Sequence, residues 1–400
     1  MSGRLKVMTV VGTRPEIIRL SRIIAAFEEH TDHVLVHTGQ NYDYELNEIF
    51  FEDLGLRRPD HFLNVDTSSL GATLGDVLRG TERVLKEVHP DAMVVLGDTN
   101  SCISALMAKR MKVPVYHCEA GNRSFDPNVP EEINRHLVDH VADYNLVYTE
   151  HSRKNLLAEG LHPSRVIHMG SPMREVLDYY AERIGNSDVL GRLGLSEGMY
   201  LVASVHREEN VDAPDRLESA LRSLAAVAAD QQVPMLVSTH PRTRKRIEQY
   251  GFEAGADVLL HKPLGFSDYV RLQKSARCVI SDSGTISEDS TMLGFPAVTI
   301  RDAIERPEAI DTGGIITTGL APADVVDSVR ITIAQHRQSG GADSPADYHV
   351  SDSSRRVLNL VRSTATTHHA RTGIRRISAG TTAERPQSMA PSSASVESSQ

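Results

Sequence analysis

The chain has 400 residues, more than one hydrophobic core usually organises, so we expect two domains. Its hydrophobic fraction of 40% and charged fraction of 24% exclude a wholly disordered chain, and its net charge of −10 disfavours nucleic acid or an anionic membrane as a partner. Cys102, Cys118 and Cys278 are too far apart for a disulfide framework or a CxxC metal site. Since no apolar stretch is long enough to span a bilayer, we expect a reduced, cytoplasmic protein.

Short apolar runs alternate with amphipathic stretches in the first half of the chain. The runs are rich in β-branched residues and continuously apolar, which is typical of parallel strands covered on both faces. A helix is predicted after Pro15, where apolar residues from Ile17 to Phe27 recur on one helical face. This alternation predicts a doubly wound parallel sheet. The predicted strands are Val7–Val11, Val34–His37, Ala92–Leu96, Pro114–His117 and Leu146–Tyr148.

The pattern pauses near residue 170 and then restarts, which predicts a second α/β lobe. A helix over Ser353–Ser363 either closes the second lobe or packs back on the first. The predicted domains are two Rossmann-like lobes over residues 1–172 and 173–365. A tail over 366–400 is predicted to be disordered, because it has no Leu or aromatic residue to bury. The predicted strands of the second lobe are Tyr200–Val205, Met235–Thr239, Val258–Leu260, Cys278–Ser281 and Ala297–Ile300.

Polar residues follow the predicted strands of the first lobe, at the sheet edge where α/β proteins bind ligands. Gly12–Glu16 turns from the first strand into a helix, and its backbone N–H groups together with Arg14 suit a phosphate. Asp98, Glu119 and Glu131 follow in the same lobe. Asp98 alone suits a helix N-cap, and Glu131 alone suits a helix dipole. Together the three carboxylates favour acid–base chemistry, because clustered carboxylates raise one another's pKa.

The second lobe contributes histidines, arginines and small residues at its strand ends. His206 and Arg207 follow one strand and His240 follows the next; because no third ligand stands at a metal spacing, anion-binding or acid–base roles are favoured. Small residues after Ser281 open a helix whose N–H groups suit a diphosphate. Glu288, about one turn into that helix, is predicted to accept from ribose hydroxyls.

Two other kinds of site have weaker support in the sequence. No GxGxxG fingerprint is present, so nicotinamide binding is not supported. Ser283 is a poor candidate nucleophile, because no GxSxG elbow surrounds it. The residues by themselves predict a two-lobed binder of a nucleotide diphosphate and leave the reaction open.

The order and spacing of several motifs make the chain resemble the non-hydrolysing UDP-N-acetylglucosamine 2-epimerases over roughly residues 5–362. The resemblance implies a GT-B-like fold, inversion at C2 of a UDP-N-acetylhexosamine, no metal or nicotinamide cofactor, and a homodimer. The motifs are Gly12–Glu16, Gly97–Thr99, Glu119–Gly121, Pro130–Arg135, His206–Asn210, Asp282–Gly284 and Glu305–Glu308.

The resemblance also implies a mechanism, in which a carboxylate removes the C2 proton while UDP leaves C1. The unsaturated acetamido sugar stays trapped, and UDP adds back after protonation on the opposite face. Asp98, Glu119 and Glu131 are the implied acid–base groups, and His206 is implied to steady the departing diphosphate. The expected substrate-binding residues are Arg14, Arg19, Arg135, Arg207, His240 and Arg306, with Ser283, Gly284, Thr285 and Glu288 holding UDP.

Details of the motifs bear on the sugar. The chain resembles most closely, in three segments, the subgroup that converts UDP-2-acetamido-2,6-dideoxy-L-talose to UDP-N-acetyl-L-fucosamine. The segments are Asn41–Glu48, Gly121–Asp126 and Ser281–Glu288. UDP-N-acetylglucosamine is the alternative substrate, and a GT-B glycosyltransferase is the alternative from another reaction class. Arg19 stands where the family usually has lysine, which keeps the charge and changes its geometry.

Overall fold

The computed structural model describes residues 4–39, 50–126, 128–302, 306–341 and 343–374. Two separate parallel sheets organise this part of the chain, one in each half. The strands are β1 Lys6–Val11, β2 Asp32–His37, β3 His61–Phe62, β4 Ala92–Leu96, β5 Val115–Ala120, β6 Tyr144–Val147, β7 Val166–His168, β8 Leu201–Ser204, β9 Met235–Ser238, β10 Val258–His261, β11 Val279–Ser281, β12 Ala297–Ile300 and β13 Ile316–Thr318.

Within the described residues, the first sheet has seven strands in the order β3-β2-β1-β4-β5-β6-β7 and the second has six in the order β10-β9-β8-β11-β12-β13. All neighbouring strands are parallel. The predicted α/β class with two Rossmann-like lobes is therefore confirmed. In both sheets the strand order reverses beside the first strand of the lobe, which is where such sheets open a crevice for ligands.

Helices connect the strands and cover both faces of each sheet. Among the described residues they are α1 Arg14–His30, α2 Leu70–Val88, α3 Ser104–Arg110, α4 Pro130–Val141, α5 Glu150–Ala158, α6 Met173–Tyr179, α7 Ala181–Gly185, α8 Val189–Arg192, α9 Glu208–Val211, α10 Pro214–Gln231, α11 Pro241–Tyr250, α12 Phe266–Ser275, α13 Ile286–Leu293, α14 Pro307–Asp311, α15 Pro322–Ser339, α16 Ser353–Thr364 and α17 His368–Thr372. None of them has the length and apolar character needed to cross a membrane.

The first sheet separates two apolar layers because successive side chains of a strand point to opposite faces. Val7 and Val11 of β1 pack with α1 in one layer, whereas Met8 and Val10 pack with α2 in the other. The predicted apolar face of α1, from Ile17 to Phe27, is fully buried in the first of these layers. The backbone at the strand ends is thus fixed by the core beneath it.

The C-terminal helices belong with the first lobe. α16 packs along α1, and Val357 and Val361 are buried in the same apolar layer as α1. Of the two placements predicted for Ser353–Ser363, the structure has the helix on the first lobe, so the second lobe does not extend to residue 365. α6 and α7 also contribute to the core of the first lobe, through residues such as Leu177 and Ile184.

The predicted start of the tail at residue 366 is also corrected. α17 is helical, and His368 is buried with its ring 5.9 Å from that of Tyr144. The ring of His369 donates from Nε2 to the Lys112 carbonyl at 2.6 Å. These contacts offset part of the entropy lost when residues 366–374 become ordered, which the amino-acid composition of the segment does not reveal. Residues 375–400 lie outside the described part of the chain.

Candidate functional site

A cavity of about 190 Å³ lies between the two lobes, at the carboxyl ends of both sheets. Six of the predicted site residues line it. They are Arg14, Arg19, His206, His240, Ser283 and Thr285. The apolar part of the wall includes Ile18, Phe50, Leu264, Phe266 and Leu293. The cavity therefore combines cationic side chains with flat apolar surface, as a nucleoside diphosphate requires.

The turn after β1 is held in shape by Glu16, a residue whose role the sequence did not reveal. Its buried carboxylate accepts from the backbone N–H groups of Gly12 at 2.7 Å and Thr13 at 2.6 Å. The same carboxylate accepts from the hydroxyls of Thr99 and Ser101, beyond the end of β4. Glu16 thus fixes the Arg14 turn relative to the Asp98 turn. Burial raises the pKa of Glu16, and its hydrogen bonds oppose that shift.

Asp98 follows β4 and pairs with a cation of α4. The Arg135 guanidinium approaches Asp98 Oδ2 to 2.6 Å and donates to Glu132 Oε2 at 2.9 Å. Asn134 of the same helix donates to the Asp98 carbonyl at 2.8 Å. Arg135 was predicted to hold substrate or phosphate, but in this structure its side chain is 5% exposed and contacts Asp98 and Glu132. Arg135 thus holds Asp98, and the residue at the N-cap of the turn that follows is Thr99 instead of Asp98.

Glu131, in the first turn of α4, differs from the other two carboxylates. Burial raises the pKa of Glu131, Arg207 of the second lobe opposes the shift, and Asp98 adds to it. Charges from both lobes therefore act on Glu131. A carboxyl with a raised pKa is suited to exchanging a proton near neutrality.

Glu119 lies at a bulge in β5 with φ = 63°, in the left-handed region that residues other than glycine rarely adopt. Its side chain accepts from Arg306 Nη2 at 2.7 Å and from Asn122 Nδ2 at 3.3 Å. A methyl group built on Gly97 would sit 4.0 Å from Glu119 Oε2, so the turn that carries Asp98 is adjacent. Strained backbone of this kind concentrates at functional sites.

Glu119 belongs to a buried charge network that joins the lobes. Arg19 of α1 contacts Glu288 of α13 at 2.6 Å, and its Nε lies 3.8 Å from Glu119. Arg306 of the second lobe contacts both Glu119 and Glu288. Ser171 donates a further hydrogen bond to Glu288. Two cations and two anions thus bridge the lobes. Burial would raise the pKa of Glu288, but the two arginines lower it to about 2.

The network corrects the prediction for Glu288. Its side chain is fully buried, is absent from the cavity wall and is occupied by Arg19 and Arg306, so it does not face a ribose. The next residue, Asp289, lines the cavity instead. Its Oδ2 accepts from Thr285, whereas its buried Oδ1 has no hydrogen-bond partner among the described residues. Burial and the neighbouring Glu288 raise the pKa of Asp289 to about 6.

His206 reaches the cavity from the end of β8. Its Nδ1 lies 3.1 Å from Asp282 Oδ1, and the Asp282 carboxylate also accepts from the backbone N–H groups of His206 and Arg207. Burial would raise the pKa of Asp282, but His206 and these donors lower it. Asp282 therefore fixes the ring of His206 through a carboxylate–imidazole contact that the sequence motif contains but does not explain.

His240 and the Ser283 turn complete the second-lobe wall. His240 is the N-cap of α11, and its ring accepts from the Arg242 N–H at 3.2 Å. Ser283 and Thr285 hydrogen-bond to each other through their hydroxyls at 3.2 Å. The carbonyl of Gly284 accepts from Arg306 at 2.9 Å, which places the Gly284 backbone against the charge network.

The predicted site residues therefore divide into a cavity wall and a set of turns behind it. The turns are connected to the wall by Arg19, by the His206–Arg207 pair and by the charge network. The residues outside the cavity wall are Asp98, Glu119, Glu131, Arg135, Arg207, Gly284, Glu288 and Arg306. Over the described ranges, no group of three or more His, Cys, Asp or Glu side chains is arranged to hold a metal ion. The segment Asn41–Glu48, predicted to bear on the sugar, and Glu305 lie outside the described residues.

Comparison with known proteins identifies the family. Residues 25–362 match the family model described as UDP-N-acetylglucosamine 2-epimerase. A structure of UDP-N-acetylglucosamine 2-epimerase from Rickettsia bellii superposes with a TM-score of 0.86 at 41% identity, covering 93% of this chain and 100% of that one. The Methanocaldococcus jannaschii UDP-GlcNAc 2-epimerase in complex with UDP-GlcNAc and UDP superposes with a TM-score of 0.85 at 32% identity, covering 90% and 100%.

A relative whose name gives a different sugar is about as similar in sequence as the M. jannaschii enzyme. UDP-2,3-diacetamido-2,3-dideoxy-D-glucuronate 2-epimerase of Pseudomonas aeruginosa is 34% identical over 343 residues, which cover 84% of this chain and 95% of that protein. The two-lobed arrangement is thus the GT-B-like fold of these enzymes. The chain belongs to the UDP-N-acetylglucosamine 2-epimerase family of isomerases.

Proposed function

We propose that this protein inverts C2 of a UDP-N-acetylhexosamine without net hydrolysis. The observation that carries the proposal is the pair of neighbouring turns that hold Asp98 and Glu119, with Glu119 3.8 Å from Arg19 in the wall of a cavity that also contains Arg14 and His206. The charge of Asp98 also acts on Glu131. Carboxylates serve a proton transfer at carbon, and cations serve a departing diphosphate. A glycosyltransferase also needs cations for the departing diphosphate, but it does not need a group that transfers a proton at carbon.

In the proposed reaction a carboxylate takes the C2 proton as the C1–oxygen bond breaks, and the bonding electrons leave with UDP. The unsaturated sugar then receives a proton at C2 from the opposite face, and the UDP oxygen re-forms the bond to C1. We assign the proton exchange at C2 to Glu131, because it stands in the first turn of α4 and burial raises its pKa. Asp98 and Glu119 are held by Arg135 and Arg306 and serve as its partners.

His206 and Asp289 are proposed to act on UDP. Since Nδ1 of His206 is held by Asp282, its other ring nitrogen is available to donate to the departing diphosphate. Asp289 takes the role predicted for Glu288, because its Oδ1 needs donors and ribose hydroxyls supply them.

The sugar is the finer part of the proposal. Relatives at similar identity act on N-acetylglucosamine and on a diacetamido uronate, so family membership leaves the sugar open. We propose UDP-2-acetamido-2,6-dideoxy-L-talose as the substrate, because the motif sequences resemble those of that subgroup. UDP-N-acetylglucosamine is the alternative substrate. A cytoplasmic homodimer is proposed on the resemblance to the family and on the reduced, buried cysteines.

The experiment is incubation of the enzyme in D₂O with each of the two UDP-sugars in parallel. Deuterium at C2, together with formation of the C2 epimer, is expected with the true substrate. Asp98→Asn should lose this exchange. An absence of exchange with both sugars at high enzyme concentration contradicts the proposal, and release of UDP that depends on an added acceptor supports the glycosyltransferase.

A further inference from the structure

A buried histidine–aspartate pair lies beneath the turns that carry the three carboxylates. His117 belongs to β5 and Asp139 to α4, and their side chains are at most 1% exposed. The ring Nδ1 lies 2.9 Å from Asp139 Oδ1, and Nε2 lies 2.7 Å from the carbonyl oxygen of Gly97. The pair is separate from the cavity wall and from the charge network between the lobes.

Both ring nitrogens of His117 carry a proton in this arrangement. A carbonyl oxygen can only accept, so Nε2 donates to Gly97. The Asp139 carboxylate accepts from Gly121 N–H and from Arg123, so it is ionised and Nδ1 donates to it as well. Burial alone would lower the pKa of His117, but the Asp139 carboxylate outweighs it and raises the pKa.

The surrounding charges balance. Arg123 donates to Asp139 at 2.8 Å and makes two hydrogen bonds of 2.7 Å to Glu159. The two cations and two carboxylates therefore sum to zero, which allows an ionised pair to persist away from water. Burial would raise the pKa of Asp139, and His117 and Arg123 lower it.

The pair contacts each element that supplies a carboxylate. Through Gly97 it holds the turn of Asp98, and through Gly121 it holds the turn that follows Glu119. Asp139 itself lies in α4, the helix whose first turn contains Glu131. It also stands one turn after Arg135, the partner of Asp98, on the same face of the helix.

We propose that His117 and Asp139 are positioning residues for proton transfer at C2, an inference that rests on the proposed function. They fix the distances among Asp98, Glu119 and Glu131 by joining β4, β5 and α4 with hydrogen bonds from one imidazolium. The strained backbone of Glu119 needs such outside support, because the left-handed conformation is unfavourable by itself. Displacing a catalytic group by an ångström costs roughly 100-fold in rate.

The test compares His117→Gln with His117→Met. The two side chains are similar in size, but the Gln amide provides a donor for the Gly97 carbonyl and Met provides none. We expect the kcat for deuterium exchange at C2 to fall roughly 100-fold in H117M. In H117Q the expected fall is about 10-fold. The KM for UDP-sugar and the Kd for UDP should stay at wild-type values, because the second lobe holds UDP.

The matched control is His33→Gln, which removes a buried ring from β2, three strands away from β5 in the same sheet. The His33 side chain is 1% exposed and its Nε2 lies 2.9 Å from Thr9 Oγ1. H33Q should lower the midpoint of urea unfolding as H117Q does and keep the wild-type kcat. If H117M does not bind UDP, Asp139→Asn replaces it in the comparison, with the same expected loss of kcat.

The inference is overturned if H117M and H117Q lose kcat equally, if either keeps the wild-type kcat, or if H33Q loses as much. An increase in KM that accounts for the whole effect also overturns it. Exchange by the wild-type enzyme is the reference: its absence with both UDP-sugars refutes the proposed function. Its presence beside an unimpaired H117M refutes the positioning role alone.

Discussion

Glu131 illustrates how one structural position separates two interpretations of the same carboxylate. A glutamate in the first turn of a helix stabilises the helix dipole, and such an interaction contributes about 0.3–1 kcal/mol. Its burial and raised pKa beside Asp98 and Arg207 go beyond what a dipolar role requires. The helix-dipole role and the proton-transfer role predict different mutant phenotypes.

Glu131→Gln is expected to reduce C2 exchange by about 10²- to 10⁴-fold, because the amide cannot take or give the proton. The affinity for UDP, measured by calorimetry, should be unchanged. Glu150→Gln is the control, since Glu150 also stands in the first turn of a helix, α5, and is half exposed. Equal exchange rates in the two variants would support a dipolar role for Glu131.

Single residues were predictable from the sequence where they follow a strand directly. Asp98 and His206 fit this rule, because the end of a buried strand marks the ligand edge of the sheet. Glu119 follows the predicted strand Pro114–His117, whereas β5 extends through it to Ala120. The supporting roles of Glu16 and Asp282 were not predictable, because their partners are distant in sequence and only the packed sheets bring them together. Glu288 and Asp289 show the same limit, since one residue of helical rotation decides which side chain meets the cavity.

At the scale of single elements, the turn after β5 depends on Gly121. Its φ is +82°, and a methyl group built there would lie 2.4 Å from the Ser152 carbonyl oxygen in α5. Gly160 has a similar φ of +88° with nothing within 4 Å of the corresponding position. Alanine substitutions at the two glycines therefore distinguish backbone strain, present at both positions, from steric overlap, present at Gly121.

Gly121→Ala should lower the free energy of unfolding by about 2–5 kcal/mol, the combined effect of strain and overlap. Gly160→Ala should lower it by about 1–2 kcal/mol, from strain alone. Urea unfolding of the two variants measures both values. Similar decreases in unfolding free energy in the two variants would show that α5 moves away from the Gly121→Ala methyl group without a loss of stability.

Long buried elements were predictable and short edge strands were not. The bounds of β4 and β12 agree with the predicted Ala92–Leu96 and Ala297–Ile300. β3, β7 and β13 have two or three residues and were missed, because so short a run carries no periodicity and an edge strand lacks the apolar character of a central one. The equally short β11 lies inside its sheet and was predicted within Cys278–Ser281. All three join a sheet at or beside its edge, where pairing with a neighbour defines the strand.

At the scale of the whole molecule, the C-terminal helices stabilise the lobe that begins the chain. Tyr116 of β5 forms a 2.6 Å hydrogen bond with Thr364, and α17 adds the contacts of His368 and His369. Sequence periodicity predicted α16 but could not choose its lobe, since an amphipathic helix fits either apolar surface.

Two truncations test this arrangement. Removal of residues 375–400 should leave the free energy of unfolding and the exchange activity at their full-length values. Removal of 365–400 should lower the free energy of unfolding by about 1–3 kcal/mol, because it exposes apolar surface around Tyr144. Equal unfolding midpoints of the two truncated proteins in urea would refute a stabilising role for α17.

The charge network between the lobes makes stability depend on Arg19. Arg19→Met leaves Glu288 buried with Arg306 as its remaining arginine, and loss of one partner of a buried pair costs about 3–5 kcal/mol. Glu288 has a pKa of about 2 in the fold against an ordinary 4.5, so its contribution is complete above pH 4.5 and is lost as the pH falls toward 2.

The difference in unfolding free energy between wild type and R19M should therefore be greatest near neutral pH and should shrink below pH 4.5. Arg19→Lys, which restores the charge without the two-point contact, should lie between them. Guanidinium unfolding at several pH values measures the difference. A difference that does not change with pH would show that Arg19 contributes packing alone.

The bond between Glu119 and Arg306 has a consequence for the timing of the reaction. Each partner comes from a different lobe, so an opening that separates the lobes here would break their 2.7 Å contact and the Arg306–Glu288 contact beside it. An open molecule thus lacks the arrangement of Glu119 on which the proposed chemistry depends. We therefore expect the proposed elimination only in the closed arrangement, where the lobes shield the unsaturated sugar from water.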